Sequence, residues 1–547
     1  MRIVTCRTMA EIDRRSQEEY HIPGMLLMEN AGIRAFLRLQ EIWEQRLGIS
    51  PIQDAGCVIL AGGGNNGGDA LVMARQAMIA GVEELYVVMR SRKTNELAST
   101  HLAIVQSLGI PVVFWEEETD RSKELIQTAD LIVDGIAGTG MRGALRGSAA
   151  ELTGWVNTAA AGYITAVDIP SGLGPEYLPG YPAVQADLTL TMGLPKQSLY
   201  TPVGRTLCGE IELIDPGFPP QLLEDPEGCG RLISEGDDYA WLLYSTAAAD
   251  EAAYKNTRGH VGVFAGSVGT TGAALLAAEA AARVGTGLVT LYGDEDIYPI
   301  LASGCRSIMV QPITGETAGR SIPGLKDTHT ALLAGPGWGI GDKSTGDKGT
   351  GDKSTGDKST GGREELLSAL LSSGLPGVLD ADGIRVLKQL RQRKGDAYIR
   401  EMTGGRWVLT PHPGEFLHLV SGTSAACSKE ELLAGPLEPM LSLASDLQMI
   451  VVLKTHVVWI CAPDGRYAVV DGMNPAMGTG GAGDVLAGAT AGLVSRGGDL
   501  FDAAAAAAAL HQQAGRMAEE KGGWFLAEDL PRYLSVLLGG INDAEGW

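Results

Sequence analysis

The chain has 547 residues, more than one ordinary hydrophobic core accommodates, so at least two domains are expected. Its composition is globular, 45% hydrophobic and 20% charged, and the aromatic share of only 5% suits tightly packed α/β layers better than a β-sandwich. A formal net charge of −23 excludes nucleic acid and anionic membrane as partners, because both need a basic face, while ligands with single phosphates stay open to helix N-termini and backbone amides.

The opening stretch MRIVTCRTMAEIDRRS carries acids early and has no apolar core, so it does not read as a signal peptide and a cytoplasmic location is expected. The first 55 residues look helical and are expected to pack on one face of the first domain. From residue 56 to 217 short apolar runs alternate with amphipathic helices. The strand candidates are CVILA (57–61), LYVVM (85–89), VVFW (112–115), LIVD (131–134), ITAVD (164–168), LTLTM (188–192) and IELID (211–215). This alternation predicts a Rossmann-like, doubly wound parallel sheet as the first domain, residues 1–220. The pattern then dissolves into PGFPPQLLEDPEGCG, a Pro/Gly-rich stretch that reads as a linker over 221–240.

A second alternating series fills residues 241–547: HVGVFAG (260–266), LVTLY (288–292), TALLAGPG (330–337), GVLDADG (377–383), WVLTPHPGE (407–415) and IVVLK (450–454). VVWICAPDGRYAVVDG (457–472) reads as a hairpin turning at Pro463–Gly465. The chain ends in Ala-rich helices, of which AAAAAAAL (503–510) reads as buried; no apolar run approaches the ~18 residues of a membrane span. Residues 341–361 repeat G-D-K-S/G-T every five residues without apolar content and are expected to form a disordered surface loop. The seven scattered cysteines, with no C-x-x-C, read as reduced thiols and not as a disulfide frame or zinc site.

Three strand ends of the first domain carry chemistry. The first delivers GGGNNGGDA (Gly62–Ala70), whose spacing is neither G-x-G-x-x-G nor followed by Gly-Lys-Ser/Thr; the others deliver DGIAGTGMRG (Asp134–Gly143) and DIPSGLG (Asp168–Gly174). In an open α/β sheet ligands bind outside the carboxyl ends of the strands, so these loops share one crevice. Glycines let backbone N–H groups approach phosphate. Asp69, Asp134 and Asp168 are too many carboxylates to meet an anion alone, so a metal ion or a lysine should accompany them, with Lys196 a candidate. One strand-end Asp reads equally well as a loop cap; three beside two Gly-rich loops read as a site.

NNGGDA, D-G-x-x-G-T-G-x-x-G, DIPSGL and LPK (194–196), four motifs in order over residues 1–220, resemble the YjeF N-terminal domain, the NAD(P)H-hydrate epimerase family. That family interconverts the R and S epimers of nicotinamide cofactors hydrated at C6. The resemblance implies that Asn65, Asn66, Gly67, Gly68 and Asp69, together with Gly138, Thr139, Gly140, Met141, Arg142, Gly143 and Ala144, bind the substrate. It implies that Asn66, Asp134 and Ser171 hold K⁺. It further implies that Asp168 contacts the substrate and is an acid/base candidate, with Lys196 as the second proton-handling group or a charge stabiliser, which of the two is acid and which base being left open. Ala70 departs from the family, where glycine is commoner.

In the second domain GTGGAGDVLAGATAGL (Gly478–Leu493) brings a glycine cluster into a helix, so free N–H groups and the helix dipole make an anion hole with Asp484 at its mouth. An acid there suits a general base that deprotonates a hydroxyl while phosphate charge is stabilised opposite. The G-[AT]-G-D pattern resembles the ribokinase-like superfamily. NTRGHVGVFAGSVGTTGAALLAAEAAARVGTGLVT (256–290), AGPG (334–337), VLDADG (378–383), LTPHPGEF (409–416) and VVLK (451–454) narrow the resemblance to the ADP-dependent NAD(P)H-hydrate dehydratases. It implies a ribokinase-like α/β domain in which Ala273, Gly337, His412 and Asp484 contact the hydrate. Lys454, Thr455, His456, Val457, Val458 and Gly483 contact the nucleotide. Thr-His follows Lys454 where the family usually has Gly first, and His412, pinned between prolines, has a structural reading beside the ligand one. Phosphoryl transfer recruits Mg²⁺.

Together these readings describe a bifunctional metabolite-repair enzyme, isomerase and lyase, acting on the hydrates of NADH and NADPH (NADHX and NADPHX) with ADP or ATP as co-substrate. ADP is favoured through resemblance alone, and a homo-oligomer is expected because both families tend to assemble. The competing reading is a ribokinase-like kinase of a small alcohol fused to a non-catalytic nucleotide-binding module.

Overall fold

The computed structural model describes residues 1–45, 51–159, 162–234, 237–247, 252–313, 324–339 and 358–542. Two compact units divide the chain, one of Arg2–Arg231 with Leu433–Gly435 and one of Leu232–Leu432 and Pro436–Trp547 with Met1.

In the first unit the strands are β1 (Arg2–Ile3), β2 (Cys57–Ala61), β3 (Leu85–Met89), β4 (Val112–Phe114), β5 (Leu131–Gly135), β6 (Tyr163–Val167), β7 (Leu188–Met192) and β8 (Glu210–Ile214). Strands β2 to β8 form a sheet in the order β4-β3-β2-β5-β6-β7-β8, parallel at every pairing. Counted from β2 this is 3-2-1-4-5-6-7, the dinucleotide-fold order, with the reversal of direction between β2 and β5. The strands are continuous apolar runs because both faces are covered. Helices Gly24–Gln45 and Asn65–Ile79 supply Phe36, Leu39, Trp43, Leu71 and Met73 to one face. Trp115, Ile126, Leu152 and Val156 cover the other.

The stretch read as a linker has structure of its own. It holds helix Pro220–Leu223 and strand β9 (Gly230–Ile233), whose Arg231 and Gly230 pair antiparallel with Arg2 and Ile3. A strand of four residues whose partner lies at the other end of the unit leaves no local periodicity to read.

The second unit contains β10 (His260–Phe264), β11 (Leu288–Asp294), β12 (Met309–Ile313), β13 (Ala331–Ala334), β14 (Gly377–Leu379), β15 (Trp407–Leu409), β16 (Ile450–Leu453), β17 (Val457–Cys461) and β18 (Tyr467–Asp471). They run β18-β17-β16-β15-β14-β13-β10-β11-β12, parallel from β16 to β12 and antiparallel through β16, β17 and β18. The hairpin at 457–472 is present, and β12 is an edge strand that the apolar pattern did not predict. Helix Ala482–Val494 lies against helix Thr271–Arg283 at glycine distance: a Cβ on Gly488 would stand 2.1 Å from the Ala277 carbonyl oxygen. The Ala-rich helix Leu500–Gly522 buries Ala503 to Ala509 as expected.

Of the pentapeptide repeat, residues 341–357 lie outside the described residues, and 358–361 open helix Lys358–Leu371 instead of continuing a loop. The seven cysteines are free. Among the described residues no helix is long and apolar enough to cross a membrane.

Candidate functional site

The carboxyl ends of β2, β5, β6 and β7 open on one cavity of about 670 Å³ in the first unit. After β2 the chain turns through Gly62–Gly64 into helix Asn65–Ile79. Glycine is required by close approach, since a Cβ on Gly62 would lie 2.0 Å from the Ile136 carbonyl oxygen and one on Gly67 1.9 Å from that of Gly62. Gly64, Asn65, Asn66 and Gly67, at the start of this helix, line the cavity.

Asp168 follows β6 in the left-handed region, φ +63°, a conformation that a residue with a side chain adopts only where its surroundings enforce it. The enforcement is visible: its amide donates to the Leu190 carbonyl (2.8 Å), and its carboxylate accepts from the Met192 amide (3.0 Å) and from Lys196 Nζ (2.5 Å). Lys196 is fully buried, and Nζ also donates to Thr191 Oγ1 (3.0 Å) and the Met192 carbonyl (2.5 Å). Its loop is pinned by Val4, whose amide donates to the Pro195 carbonyl (2.9 Å) and whose carbonyl accepts from the Gln197 amide (2.8 Å). Burial, with Asp168 and Asp13 nearby, pushes the Asp69 carboxyl well above the usual range, Lys196 acting against them.

Beneath the loops, Asp134 accepts from Ser171 Oγ (2.6 Å), the Ser171 amide (2.8 Å) and the Ile136 amide (3.2 Å). Burial still pushes its carboxyl up to about 6, the hydrogen bonds from Ser171 and Ile136 working against it. Asn66 donates through Nδ2 to the Ala137 carbonyl (3.1 Å), while its buried Oδ1 has no hydrogen-bond partner among the described residues. An all-oxygen set with one carboxylate and one unsatisfied carbonyl oxygen has the chemistry of a monovalent-cation site.

In the second unit the strand ends bring carboxylates around one lysine. Lys454, after β16, donates to Asp380 Oδ1 (2.5 Å), and Asp380, after β14, also accepts from Thr410 Oγ1 (2.8 Å). Burial opposes the Lys454 charge, but Asp380 and Glu415 outweigh it and its pKa rises. Gly481, at φ +97°, caps helix Ala482–Val494 and puts Asp484 in its first turn. Burial, then Asp380, pushes Asp484 up to about 7, against the pull of Lys454. A Cβ on Gly483 would stand 3.4 Å from Lys454 Nζ, so the lysine and the glycine loop are direct neighbours.

The family description "NAD(P)H-hydrate dehydratase" matches residues 261–535, and "YjeF-related protein N-terminus" matches residues 25–198. A bifunctional NAD(P)H-hydrate repair enzyme of Moorella thermoacetica is 33% identical over 99% of this chain and 98% of its own length. One of Salinibacter ruber is 32% identical over 93% and 90%. The chain belongs to the bifunctional NAD(P)H-hydrate repair enzymes. Among solved structures, an ADP/ATP-dependent NAD(P)H-hydrate dehydratase of Bacillus subtilis co-crystallised with ATP and Mg²⁺ aligns over 54% of this chain and 94% of that one, at 23% identity and a TM-score of 0.43.

In this repair enzyme Asn65, Asn66, Gly67, Asp69, Gly138, Thr139, Gly140, Met141, Asp168 and Lys196 all line the first cavity. Gly68 turns instead toward Met28, and Arg142, Gly143 and Ala144 are not in the lining, the Gly143 amide donating to Glu176 Oε2 (2.9 Å). Ala273 and Gly337 come together: a Cβ on Gly337 would lie 3.1 Å from that of Ala273. His412 caps helix Pro413–Val420, Nδ1 accepting from the amides of Gly414 (3.0 Å) and Glu415 (3.3 Å). Its proton therefore sits on Nε2, 3.4 Å from Glu415 Oε1, on a ring half open to solvent. Val457 and Val458 lie within β17, paired with Asp471 and Val470 of β18, and the Val458 side chain belongs to the core. The Thr455 hydroxyl donates to the Val457 carbonyl (2.5 Å), and the His456 carbonyl accepts from the Gly472 amide (2.8 Å).

Sequence reasoning missed Asp13 and Gln17, which line the first cavity from helix Cys6–Glu18, and gave no role to Asp380 or Glu415. Asp13 leaves no signal, since an acid on an amphipathic helix reads as a solvated face. Asp380 stood at a strand end in VLDADG and was findable by the rule that found Asp134 and Asp168.

Proposed function

We propose that the first cavity interconverts the epimers of hydrated NADH and NADPH, and that the second unit returns the S epimer to the reduced cofactor at the expense of ADP or ATP. The observation that carries the first half is the buried Lys196–Asp168 pair opening on the cavity between two glycine loops. The hydrate bears its hydroxyl on C6 beside the ring nitrogen. Departure of that hydroxyl as water, followed by return of water to the other face, inverts C6, and the two steps need one group to give a proton and one to take it. Asp168 contacts the substrate and shares this work with Lys196, and the acidic cavity favours the positive charge that develops on the ring.

A potassium ion fits Asn66 Oδ1, the Asp134 carboxylate and Ser171 Oγ, and it would supply positive charge that offsets Asp134 and steadies the substrate loop. In the second unit Asp484 takes the C6 hydroxyl proton as the terminal phosphoryl group of the nucleotide moves to that oxygen. Phosphate then leaves with the C6–O bond and a proton leaves C5, so hydrate and ATP give NAD(P)H, ADP and phosphate, and with ADP the nucleotide product is AMP. The nucleotide's phosphates would hold Mg²⁺, which would offset their negative charge.

The test supplies a mixture of R and S NADH hydrates with ADP or ATP and follows the absorbance of reduced nicotinamide. Complete recovery is expected; recovery that stops at the S fraction in the unaltered protein would sink the epimerase half. A stable phosphorylated alcohol as product would overturn the dehydratase half.

A further inference from the structure

We propose that Arg90 recognises the 2′-phosphate of the substrate's adenosine ribose, so that the first cavity favours NADPH hydrate over NADH hydrate; this rests on the epimerase reading of that cavity. Arg90 is the first residue after β3, half-buried, and lines the cavity. Its amide donates to the Ala61 carbonyl (2.9 Å), which fixes it beside the start of the glycine loop. Among the described residues its guanidinium makes no hydrogen bond or ion pair, although Asp13, Asp69 and Asp168 line the same cavity. Its neighbour Arg92 is different: it pairs with Glu117 and lies 4.1 Å over the Phe114 ring. An unpartnered guanidinium at the cavity wall of a chain with net charge −23 suits an anion that the protein itself does not supply.

The strand order says which anion. In a 3-2-1-4-5-6 sheet the dinucleotide crosses the switch point, its pyrophosphate on the glycine loop of the first strand and its adenosine ribose over the end of the second. The second strand here is β3. About 20 residues past the glycine loop, an acid at this position bonds the 2′-hydroxyl of NAD and an arginine accepts the 2′-phosphate of NADP. Arg90 stands 22 positions beyond Gly68, and the segment it opens, RSRKTN (90–95), contains no carboxylate. The segment is folded onto the loop, the Asn95 amide donating to the Gly63 carbonyl (2.8 Å). The reactive pair, Asp168 after β6 and Lys196 after β7, lies on the opposite side of the switch, where the nicotinamide end then falls.

The experiment measures Kd for NADP⁺ and NAD⁺ on the full chain with the nucleotide site of the second unit filled by a non-hydrolysable ATP analogue, a separate constant being fitted for dinucleotide held at that unit's hydrate subsite; the constants compared are those of the first cavity. The unaltered protein should bind NADP⁺ at least about tenfold more tightly, the scale of one charge-assisted hydrogen bond. Arg90→Ala should bring the ratio of the two constants close to one, Arg90→Lys should keep part of it, and Arg90→Glu should invert it. Equal affinities in the unaltered protein, or an unchanged ratio in Arg90→Ala, would overturn the proposal. Binding separates it from the reading beneath it: a ratio that collapses in a protein unable to epimerise leaves the phosphate site standing and removes only the epimerase.

Discussion

At the scale of the residue, Asp484 is a carboxylate made basic first by burial and then by Asp380. With its pKa raised to about 7, it is half ionised at neutral pH, where a general base works best. Dehydration should therefore fall as pH drops below about 7, read from kcat/KM against pH on purified S hydrate. The same shift costs stability: a carboxyl whose folded pKa exceeds its unfolded one stabilises the fold at low pH and loses that contribution as pH rises through 7. Asp484→Asn should thus lower dehydration by about 10²–10⁴-fold while raising Tm at pH 8, a pair of outcomes that a structural role alone would not give. In the first cavity, Asn66→Ala should remove any dependence of epimerisation on K⁺ against Na⁺; an unchanged salt response would argue against the cation reading. Three of the acids read from the sequence, Asp134, Asp168 and Asp484, stand at strand or helix ends, where topology fixes their direction, while Asp69, inside helix Asn65–Ile79, was legible only through the glycine loop before it. Asp13 sits in the middle of its helix, where only packing decides which way it points, whereas Glu415 stands in the first turn of its helix as Asp484 does and was findable by the same rule.

At the scale of the element, the contact between helices Thr271–Arg283 and Ala482–Val494 joins the helix that carries Ala273 to the one that carries Asp484. The first helix carries Ala273 beside Gly337 and the second carries Asp484, and Gly488 lets them meet with a carbonyl oxygen where a Cβ would be. Gly488→Val should destabilise the second unit by about 3 kcal/mol or more through overpacking, lower its Tm, and raise the KM for nucleotide and hydrate together. A thermal scan and steady-state kinetics check both. Most strands were legible because a strand buried on both faces writes itself as an apolar run between glycines. Strand β12 was not, since Met309, Gln311 and Pro312 at a sheet edge face solvent and carry no such run. Strands β1 and β9 were hidden for a different reason, their pairing partner being far away in the chain.

At the scale of the whole molecule, the two activities belong to separate compact units, and the expected link between them is an epimer released to solution. A chain with Asp168→Ala and a second chain with Asp484→Asn should each fail on mixed hydrates, the first stopping at the S fraction and the second recovering nothing. Mixed together they should restore complete recovery; failure of the mixture would mean that the epimer passes between units without release. The second unit should also be the acid-labile one. Burial lowers His329 and His511 to about 4, so the unfolded chain takes up their protons at a higher pH than the folded one. Stability present above pH 6.5 is then lost as pH falls from 6.5 toward 4, which calorimetry of the intact protein would register as a falling Tm for that unit. The two-unit plan was readable because each unit repeats its own alternation of strand and helix.

The left-handed backbone at Asp168 limits how this site can decay. Of the residues that single-base changes in an Asp codon provide, Asn and Gly accept that conformation at little cost, His stands between, and Ala, Val, Tyr and Glu carry strain of about 1–2 kcal/mol or more. A lineage that gave up epimerisation would drift first to Asn or Gly at position 168 with its fold intact, leaving a fossil of the lost activity that one codon suffices to recognise.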